Sequence, residues 1–310
     1  MAYQTESLNS VSSETIGGPL LAQRSPWRQF TQDRTAVLGA IVIAVMAAGV
    51  LLGPQLYDIS YSYIDYSQAF SPPSWQHFLG TNDRGQDQLA RLLWGGRISI
   101  GVGITAMLVS VLIGTAVGTL AGFCGGFVDN GLMRLTDLFL ALPQLPLLLL
   151  IIYLFRDQVR SLFGPELGIF ALVILVIGGL TWMPTARLVR AGILAVKEQV
   201  FVEAAKSLGA SPVHLVWRHL LPNVIGPVVV AATLGVGNAI ITESTLSFLG
   251  IGFPPDVPTW GRMLFEAQDY IANAPYLVIF PGLAIFLVVL SVNYVGDGLR
   301  DTLDVRTASS

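Results

Sequence analysis

The sequence predicts an all-α membrane protein with six transmembrane helices. Apolar residues make up 53% of its 310 residues and charged residues only 12%, against about 25% charged in an ordinary soluble domain. Six stretches of 18 to 31 residues carry no Asp, Glu, Lys or Arg, at 35–57, 98–128, 138–155, 167–186, 220–242 and 270–296. Each stretch is long enough to cross about 30 Å of hydrocarbon as a helix at 1.5 Å per residue.

These stretches divide the chain into a tail, a membrane domain and a second tail. Residues 1–34 are a polar N-terminal tail in which Ser25-Pro26 and Trp27 indicate either a short interfacial helix or simple membrane anchors. Residues 35–300 form the membrane domain and residues 301–310 the C-terminal tail. The predicted spans are about 36–57, 98–122, 134–155, 168–187, 223–250 and 276–296, with a cytoplasmic loop at 188–222.

The distribution of basic residues predicts the orientation. With the N-terminus inside, eleven of the seventeen Lys and Arg residues lie on the inner side and six on the outer side. Cytoplasmic loops are enriched in Lys and Arg. Both termini are therefore expected in the cytoplasm, with the chain spanning a plasma membrane several times.

Several classes of function find no support in the sequence. The net charge of −3 does not favour nucleic-acid binding, and the single cysteine, Cys124, cannot form an internal disulfide. Neither lysine, Lys197 or Lys206, lies in a phosphate-binding loop motif. We therefore predict no catalytic, cofactor-binding or metal-binding residue.

The three histidines also support no metal site. His77, His214 and His219 all fall in predicted loops and form no HExxH motif. His214 and His219 are five residues apart, which is a poor separation for two ligands on one face of a helix. We expect all three to be solvated.

Small residues recur every four positions in the second predicted span. Ser110, Gly114, Gly118 and Gly122 would lie on one helix face. Such a face allows another helix backbone to approach closely. The spacing favours a subunit or bundle interface, although glycine is also common in membrane helices generally.

Three polar residues lie in or beside the predicted spans. An acidic side chain at mid-membrane costs about 2.5–3.5 kcal/mol, so such positions suggest function. Asp137 has Arg134 one turn away and favours an ordinary ion pair. Asn238 and Glu243, in the fifth span, would either line a wet cavity on a translocation path or form satisfied polar packing.

The inner loop is the most structured of the predicted loops. Its first part has apolar residues at helical spacing, interrupted only by Val202, with polar residues on the other side. Gly209 predicts a helix stop, Ser211-Pro212 a helix start, and Pro222 the end of the second short helix. The pattern alone leaves two alternatives open: an element resting on the bilayer or a plug for a soluble partner.

Two runs in and after this loop resemble a known motif. The run Glu203–Ser211, EAAKSLGAS, followed by Arg218–Asn223, RHLLPN, resembles the EAA loop of bacterial ABC importer permeases. Residues 79–99, 243–264 and 280–306 extend the resemblance to the second permease of the dipeptide/oligopeptide/nickel class. The similarity covers about residues 25 to 306 and implies the type I ABC importer permease fold.

The resemblance implies partners and roles. The partners are a second homologous permease, two cytoplasmic ABC ATPase subunits and an extracytoplasmic solute-binding protein. The ATPase-coupling residues are Val200, Glu203, Ala204, Ala205, Lys206, Leu208, Gly209 and Pro222. Candidate contacts of the binding protein are Pro254, Pro255 and Trp260. The chain departs from the family pattern at Asn82, where Asp is usual, Gln86, where Arg is usual, and Val305, where Pro is usual.

We therefore predict a permease subunit of an ATP-driven importer that is not itself an enzyme. The alternatives are an ion-coupled secondary transporter or channel subunit and, more distantly, an intramembrane hydrolase. The first would need coupling-ion sites on broken helices and detectable repeats. Peptides are the favoured substrate class, while nickel, glutathione or another small solute stays open.

Overall fold

The computed structural model describes residues 30–307, and within that range it is helical without a β-strand. Most of the candidate interfacial segment, and residues 308–310, lie outside the described residues. The α-helices are, in chain order, α1 Arg34–Leu56, α2 Gln88–Cys124, α3 Gly126–Ala141, α4 Gln144–Phe163, α5 Pro165–Gly179, α6 Met183–Lys197, α7 Val200–Ser207, α8 Pro212–Leu215, α9 Leu221–Phe248, α10 Trp260–Ala267 and α11 Tyr276–Thr307.

Six membrane crossings are confirmed when each bent helix pair counts as one span. Four helical segments, at 34–56, 88–124, 212–248 and 276–303, are long and apolar enough to cross alone. The pair α3 and α4 is bent by 88°, and the pair α5 and α6 by 44°. The third and fourth predicted spans are therefore each built from two helices.

Proline explains both breaks. Pro143 lies between α3 and α4, and the residue before it, Leu142, has the extended conformation that a following proline imposes (φ −78°, ψ 139°). Pro184 lies in the first turn of α6, where an N–H group would have no intrahelical partner, so proline loses no hydrogen bond there. The apolar composition of 134–155 hides a sharp bend because hydropathy does not register it.

Helix α2 is the central element and begins ten residues before the predicted span. Its N-cap Asp87 accepts a hydrogen bond from Ala90 N at 2.8 Å. The predicted span begins after Arg97 because that residue is charged. Arg97 nevertheless lies in the helix, and its Nε donates to Val50 O at 2.8 Å. That carbonyl is four residues before Pro54, which has no N–H to donate to it.

The glycine-rich face of α2 lies against α6 of the same chain. A Cβ on Gly114 would stand 2.7 Å from Trp182 O, on Gly118 2.4 Å from Ala186 O, and on Gly122 2.9 Å from Ile193 Cβ. Only glycine permits these approaches. The small-residue spacing thus belongs to a bundle interface within the chain.

The bundle has two contrasting ends, which differ in the segments that lie there. One end, called the polar-loop end, comprises the segment 57–87, the segment 249–259 and α10. The other end carries α7 and α8 and is called the α7–α8 end. Lys197 Nζ donates to Phe123 O at 2.7 Å there, which ties the last turns of α6 and α2 together.

Candidate functional site

The α7–α8 loop is helix, break and helix. Gly209 adopts φ +82°, and its N–H donates to Lys206 O while Ala210 N–H donates to Ala205 O. These bonds form a Schellman motif, which favours glycine at the left-handed position. The Ser211 side chain then accepts from His214 N at 3.3 Å and caps α8.

Helix α7 is held by one buried side chain, with Ala205 half-buried beside the same cluster, and exposes the others. Val202 is fully buried and lies in a cluster with Val189 and Ile193 of α6. Val200 is 80% exposed and Leu208 89% exposed, and Glu203 is exposed as well. Val202, which interrupts the sequence pattern, is therefore the anchor, and the apolar residues of that pattern face largely outward.

Further exposed apolar side chains lie on α8 and in the turn that follows it. Val213 is 68% exposed and Trp217 71% exposed. With Val200 and Leu208 they form what we call the apolar patch. Exposed apolar patches on the loops of a protein mark surfaces that contact another protein or a membrane.

The expectation that His214 and His219 do not share one face of a helix is wrong. Residues Val216–Leu220 form a π-turn, in which Leu221 N–H donates to Val216 O. This wider turn brings positions five apart onto one side, so the two rings lie 5.6 Å apart between centroids. The loop assignment of these residues is corrected to helix for the same reason.

Pro222 does not end the second short helix. It lies in the first turn of α9, and the chain is helical from Pro212 to Phe248 without a break. Proline has no N–H to donate, and Pro222 follows directly on the π-turn Val216–Leu220, where the helical hydrogen-bond register changes. Motion of α8 is therefore connected directly to α9.

Ion pairs join α3 to α6 near the loop. Arg190 donates to both carboxylate oxygens of Asp129, from Nε to Oδ1 at 2.5 Å and from Nη2 to Oδ2 at 2.6 Å. Asp137 pairs with Arg187 rather than with Arg134, so the sequence-local partner was wrong. Because α6 leads into α7, these pairs link the loop to the bent helix pair.

A cavity of about 590 Å³ lies among α2, α6, α9 and the start of α4. Asn238 is exposed and lines it. The other polar lining residues are Gln144, Thr181, Thr185 and Thr242, and the remaining ones are apolar or glycine. None of the lining residues in the described part of the chain is charged.

Glu243 is separated from this cavity. It is fully buried, and its carboxylate accepts from Ser99 Oγ at 3.0 Å and from Ser247 Oγ at 2.8 Å. Residues five apart on an α-helix point about 140° away from each other. The sequence grouped Asn238 with Glu243, whereas the structure gives Glu243 the satisfied polar packing and Asn238 the cavity.

Two of the three candidate binding-protein contacts are inaccessible. Trp260 is 1% exposed, and its Nε1 donates to Leu92 O at 3.0 Å. Its ring fits over Gly96, where a Cβ would stand 2.8 Å from the ring. Pro254 is buried too, and only Pro255 is exposed. The assignment of Trp260 and Pro254 as contacts is corrected to internal packing.

The two departures from the family pattern in the segment 57–87 contact each other. Asn82 Nδ2 donates to Gln86 Oε1 at 2.9 Å, and Gln86 N donates to Asn82 Oδ1 at 2.8 Å. Arg91 donates to Gln86 through Nη1 and to Glu266 through Nη2, the latter at 2.5 Å. A neutral amide pair therefore lies where the resemblance implies a charged pair. The Val305 side chain lies outside the described residues.

A second polar network holds the same segment. The Tyr57 hydroxyl donates to Asp87 Oδ2 at 3.0 Å, and His77 Nδ1 lies 2.8 Å from the same oxygen. His77 Nε2 lies 2.5 Å from Gln68 Oε1, so this histidine is not simply solvated. Burial, together with the bond to Asp87 and its charge, raises the pKa of Tyr57 well above its ordinary value of 10.0.

The family follows from the comparison with known proteins. Residues 110–309 match the family model described as the binding-protein-dependent transport system inner membrane component. The chain belongs to this family. Residues 21–73 of the permease also match the model of the N-terminal TM domain of oligopeptide transport permease C.

Curated relatives cover nearly the whole permease. The dipeptide transport system permease protein DppC of Alkalihalophilus pseudofirmus is 35% identical over 92% of this chain and 91% of its own. A putative peptide permease protein of Brucella suis is 39% identical over 90% and 89%. The glutathione transport system permease protein GsiD of Shigella flexneri is 38% identical over 90% and 89%.

A solved structure supports the fold. An inward-facing form of the MetNI methionine ABC transporter has a chain that matches with a TM-score of 0.55 and 20% identity. The match covers 68% of the permease and 96% of that chain. The type I ABC importer permease fold is thereby confirmed.

These findings define the class of function. The chain is a multi-pass inner-membrane permease subunit of a binding-protein-dependent ABC importer, and members of its family are not themselves enzymes. An importer of this kind works with an ATPase and with a substrate-binding protein. The secondary-transporter and channel alternative is not favoured.

Proposed function

We propose that this permease forms half of a peptide translocation path, with a second homologous permease forming the other half. Two ATPase subunits serve the pair, one of them docking on the α7–α8 end of this chain. In this proposal both termini and the α7–α8 end are cytoplasmic, and the polar-loop end faces the solute-binding protein. The observation that carries it is the apolar patch on a rigidly anchored α7.

The surface of the loop supports docking. The apolar patch has no cover within the described residues, and Glu203 and Lys206 add exposed charges on α7. Ala204, also exposed, has a small side chain that permits close approach of a partner. Removal of such a surface from water is favourable by about 25 cal/mol per Å² of apolar area.

The anchoring of the loop supports a lever mechanism. Val202 joins α7 to α6, the Asp129–Arg190 pair joins α6 to α3, and the helical run 212–248 joins α8 to α9. A displacement of α7 by the ATPase would reach α6 and α9, which line the cavity. Different contacts of the docked loop in the two states are what an ATP-driven shift of packing requires.

The substrate class and orientation rest on other support. Relatives named for dipeptides, peptides and glutathione favour a peptide cargo. The excess of Lys and Arg on the α7–α8 side favours a cytoplasmic location for that end. Pro255 is the accessible candidate for contact with the binding protein.

Charge reversal on α7 tests the coupling role. Glu203→Lys in the complete transporter is expected to abolish ATP-driven peptide uptake into vesicles and to leave the amount of inserted protein unchanged, because the Glu203 side chain is exposed. Glu166→Lys, the same change at an exposed residue in the first turn of α5, is the matched control and should transport normally. Normal uptake by Glu203→Lys would refute the lever.

A further inference from the structure

The side-chain amides of the cavity differ from its hydroxyls in what they can still bind. Thr181 Oγ1 donates to Ile177 O at 2.8 Å, and Thr242 Oγ1 donates to Asn238 O at 2.7 Å. The side-chain amides of Gln144 and Asn238 make no hydrogen bond with any other described residue. Both are exposed, and both line the cavity.

A side-chain amide without a hydrogen bond is energetically unfavourable within the membrane-spanning part of α9. Asn238 lies well inside the helical run 212–248, which is apolar enough to cross the membrane. Burying an amide without a hydrogen bond costs about 1–3 kcal/mol by protein mutational data. The group therefore needs water or a ligand, and a cavity of about 590 Å³ has room for either.

The best complement of an amide is another amide. Each of these side chains offers two N–H donors and one carbonyl acceptor, which matches the single N–H and C=O of a peptide bond. The hydroxyls of Thr181 and Thr242, whose protons are used by their own helices, add acceptors only. The arrangement favours a backbone ligand over a lone anion or cation.

The lining residues also cannot distinguish a positive side chain of a peptide from a negative one. All of its described residues are neutral. A Lys or Glu side chain of a passing peptide would find neither a counter-charge nor a like charge and would remain hydrated. Selection by charge at this site is therefore not expected.

We propose that Asn238 and Gln144 bind the peptide backbone in transit, so that the permease recognises peptide bonds and is indifferent to side-chain charge. The proposal rests on the proposed function, since it assigns the cavity to the peptide path. It concerns the contact made inside the membrane, separately from the choice of ligand by the binding protein.

Charge introduced at Asn238 tests the proposal. The complete transporter, with its own binding protein, is reconstituted with ATP, and uptake of Ala-Lys-Ala and Ala-Glu-Ala is compared in each variant. The uptake rate of Ala-Lys-Ala is divided by that of Ala-Glu-Ala, and this ratio is divided by the same ratio in the wild type, which cancels any preference of the binding protein. Asn238→Asp should raise this ratio about tenfold, equivalent to about 1.4 kcal/mol, and Asn238→Lys should lower it by a similar factor.

The control is the same change outside the cavity. Asn293→Asp, on an exposed residue of α11 that does not line the cavity, should leave the ratio within about twofold of wild type. If Asn238→Asp does not accumulate in membranes, Gln144→Glu carries the same sign test. Structural damage would not move the uptake ratio in opposite directions in the Asp and the Lys variants of one position.

The outcomes separate the two proposals. Wild-type transport of both peptides with ratios unchanged in the charged variants would overturn the backbone-contact proposal and leave the proposed function intact. Failure of the wild-type transporter to take up either peptide, with the ATPase active, would overturn both.

Discussion

The two ends of the bundle differ in how far their large side chains are buried. At the polar-loop end, the side chains next to α2 are buried and paired: Trp260 is 1% exposed, and Asp87 and Arg91 are buried in hydrogen-bonded networks, while Trp75, farther out in the segment 57–87, is 92% exposed. At the α7–α8 end, Trp217 is 71% exposed and Leu208 89% exposed. The buried network of the first end is satisfied within one chain, whereas the apolar patch of the second end exposes side chains of the kind that mark interaction surfaces.

The two tryptophans give the largest expected contrast. Trp260→Ala should lower the free energy of unfolding by about 3–5 kcal/mol, because it opens a cavity and removes the partner of Leu92 O. Trp217→Ala should change that free energy by less than about 0.5 kcal/mol and should nevertheless reduce ATP-driven uptake. Unfolding in detergent and uptake in vesicles measure the two effects.

The comparison fails if the two variants behave alike. Equal destabilisation by both substitutions would mean that Trp217 is part of the folded core. Full uptake by the Trp217 variant would mean that its exposed ring contributes nothing to coupling.

A smaller effect is expected from pH at the polar-loop end. The pKa of Tyr57 is raised in the folded protein, so its neutral form contributes stability that is present below about pH 10 and lost as the pH rises further. Wild type should exceed Tyr57→Phe by about 1 kcal/mol at pH 7.5, the value of one hydrogen bond. The difference should shrink above pH 10.

Unfolding of both proteins across that pH range checks the sign. A difference that is constant or grows with pH would show that Tyr57 does not hold its proton through Asp87. The α7–α8 end offers the comparison, since substitution of the exposed Leu208 by Ala should leave the pH dependence of unfolding as in wild type.

Local signals predicted the loop and much of the bundle. Gly209, Ser211 and Pro212 specify a helix stop and a helix start within four residues, so the break between α7 and α8 needs no distant partner. The four-residue spacing of small residues in α2 likewise encodes a close helix contact. The apolar stretches predicted six crossings, because length and hydropathy alone limit what can span a bilayer.

Features that depend on distant partners were not predictable in this way. Trp260 is buried because Gly96, far away in sequence, leaves space for its ring. Asp137 binds Arg187 rather than its near neighbour, and Glu243 is held by Ser99 of another helix. The π-turn that joins His214 to His219 carries no sequence signal that we recognise.

The most direct test of the account is covalent capture at Leu208. A photo-reactive amino acid in place of Leu208, the most exposed large apolar residue of the patch, should cross-link to an ATPase subunit in native membranes. The same amino acid in place of Pro255 should not capture the ATPase. Capture of the ATPase from position 255, or none from position 208 in a transporter that still takes up substrate, would contradict the account.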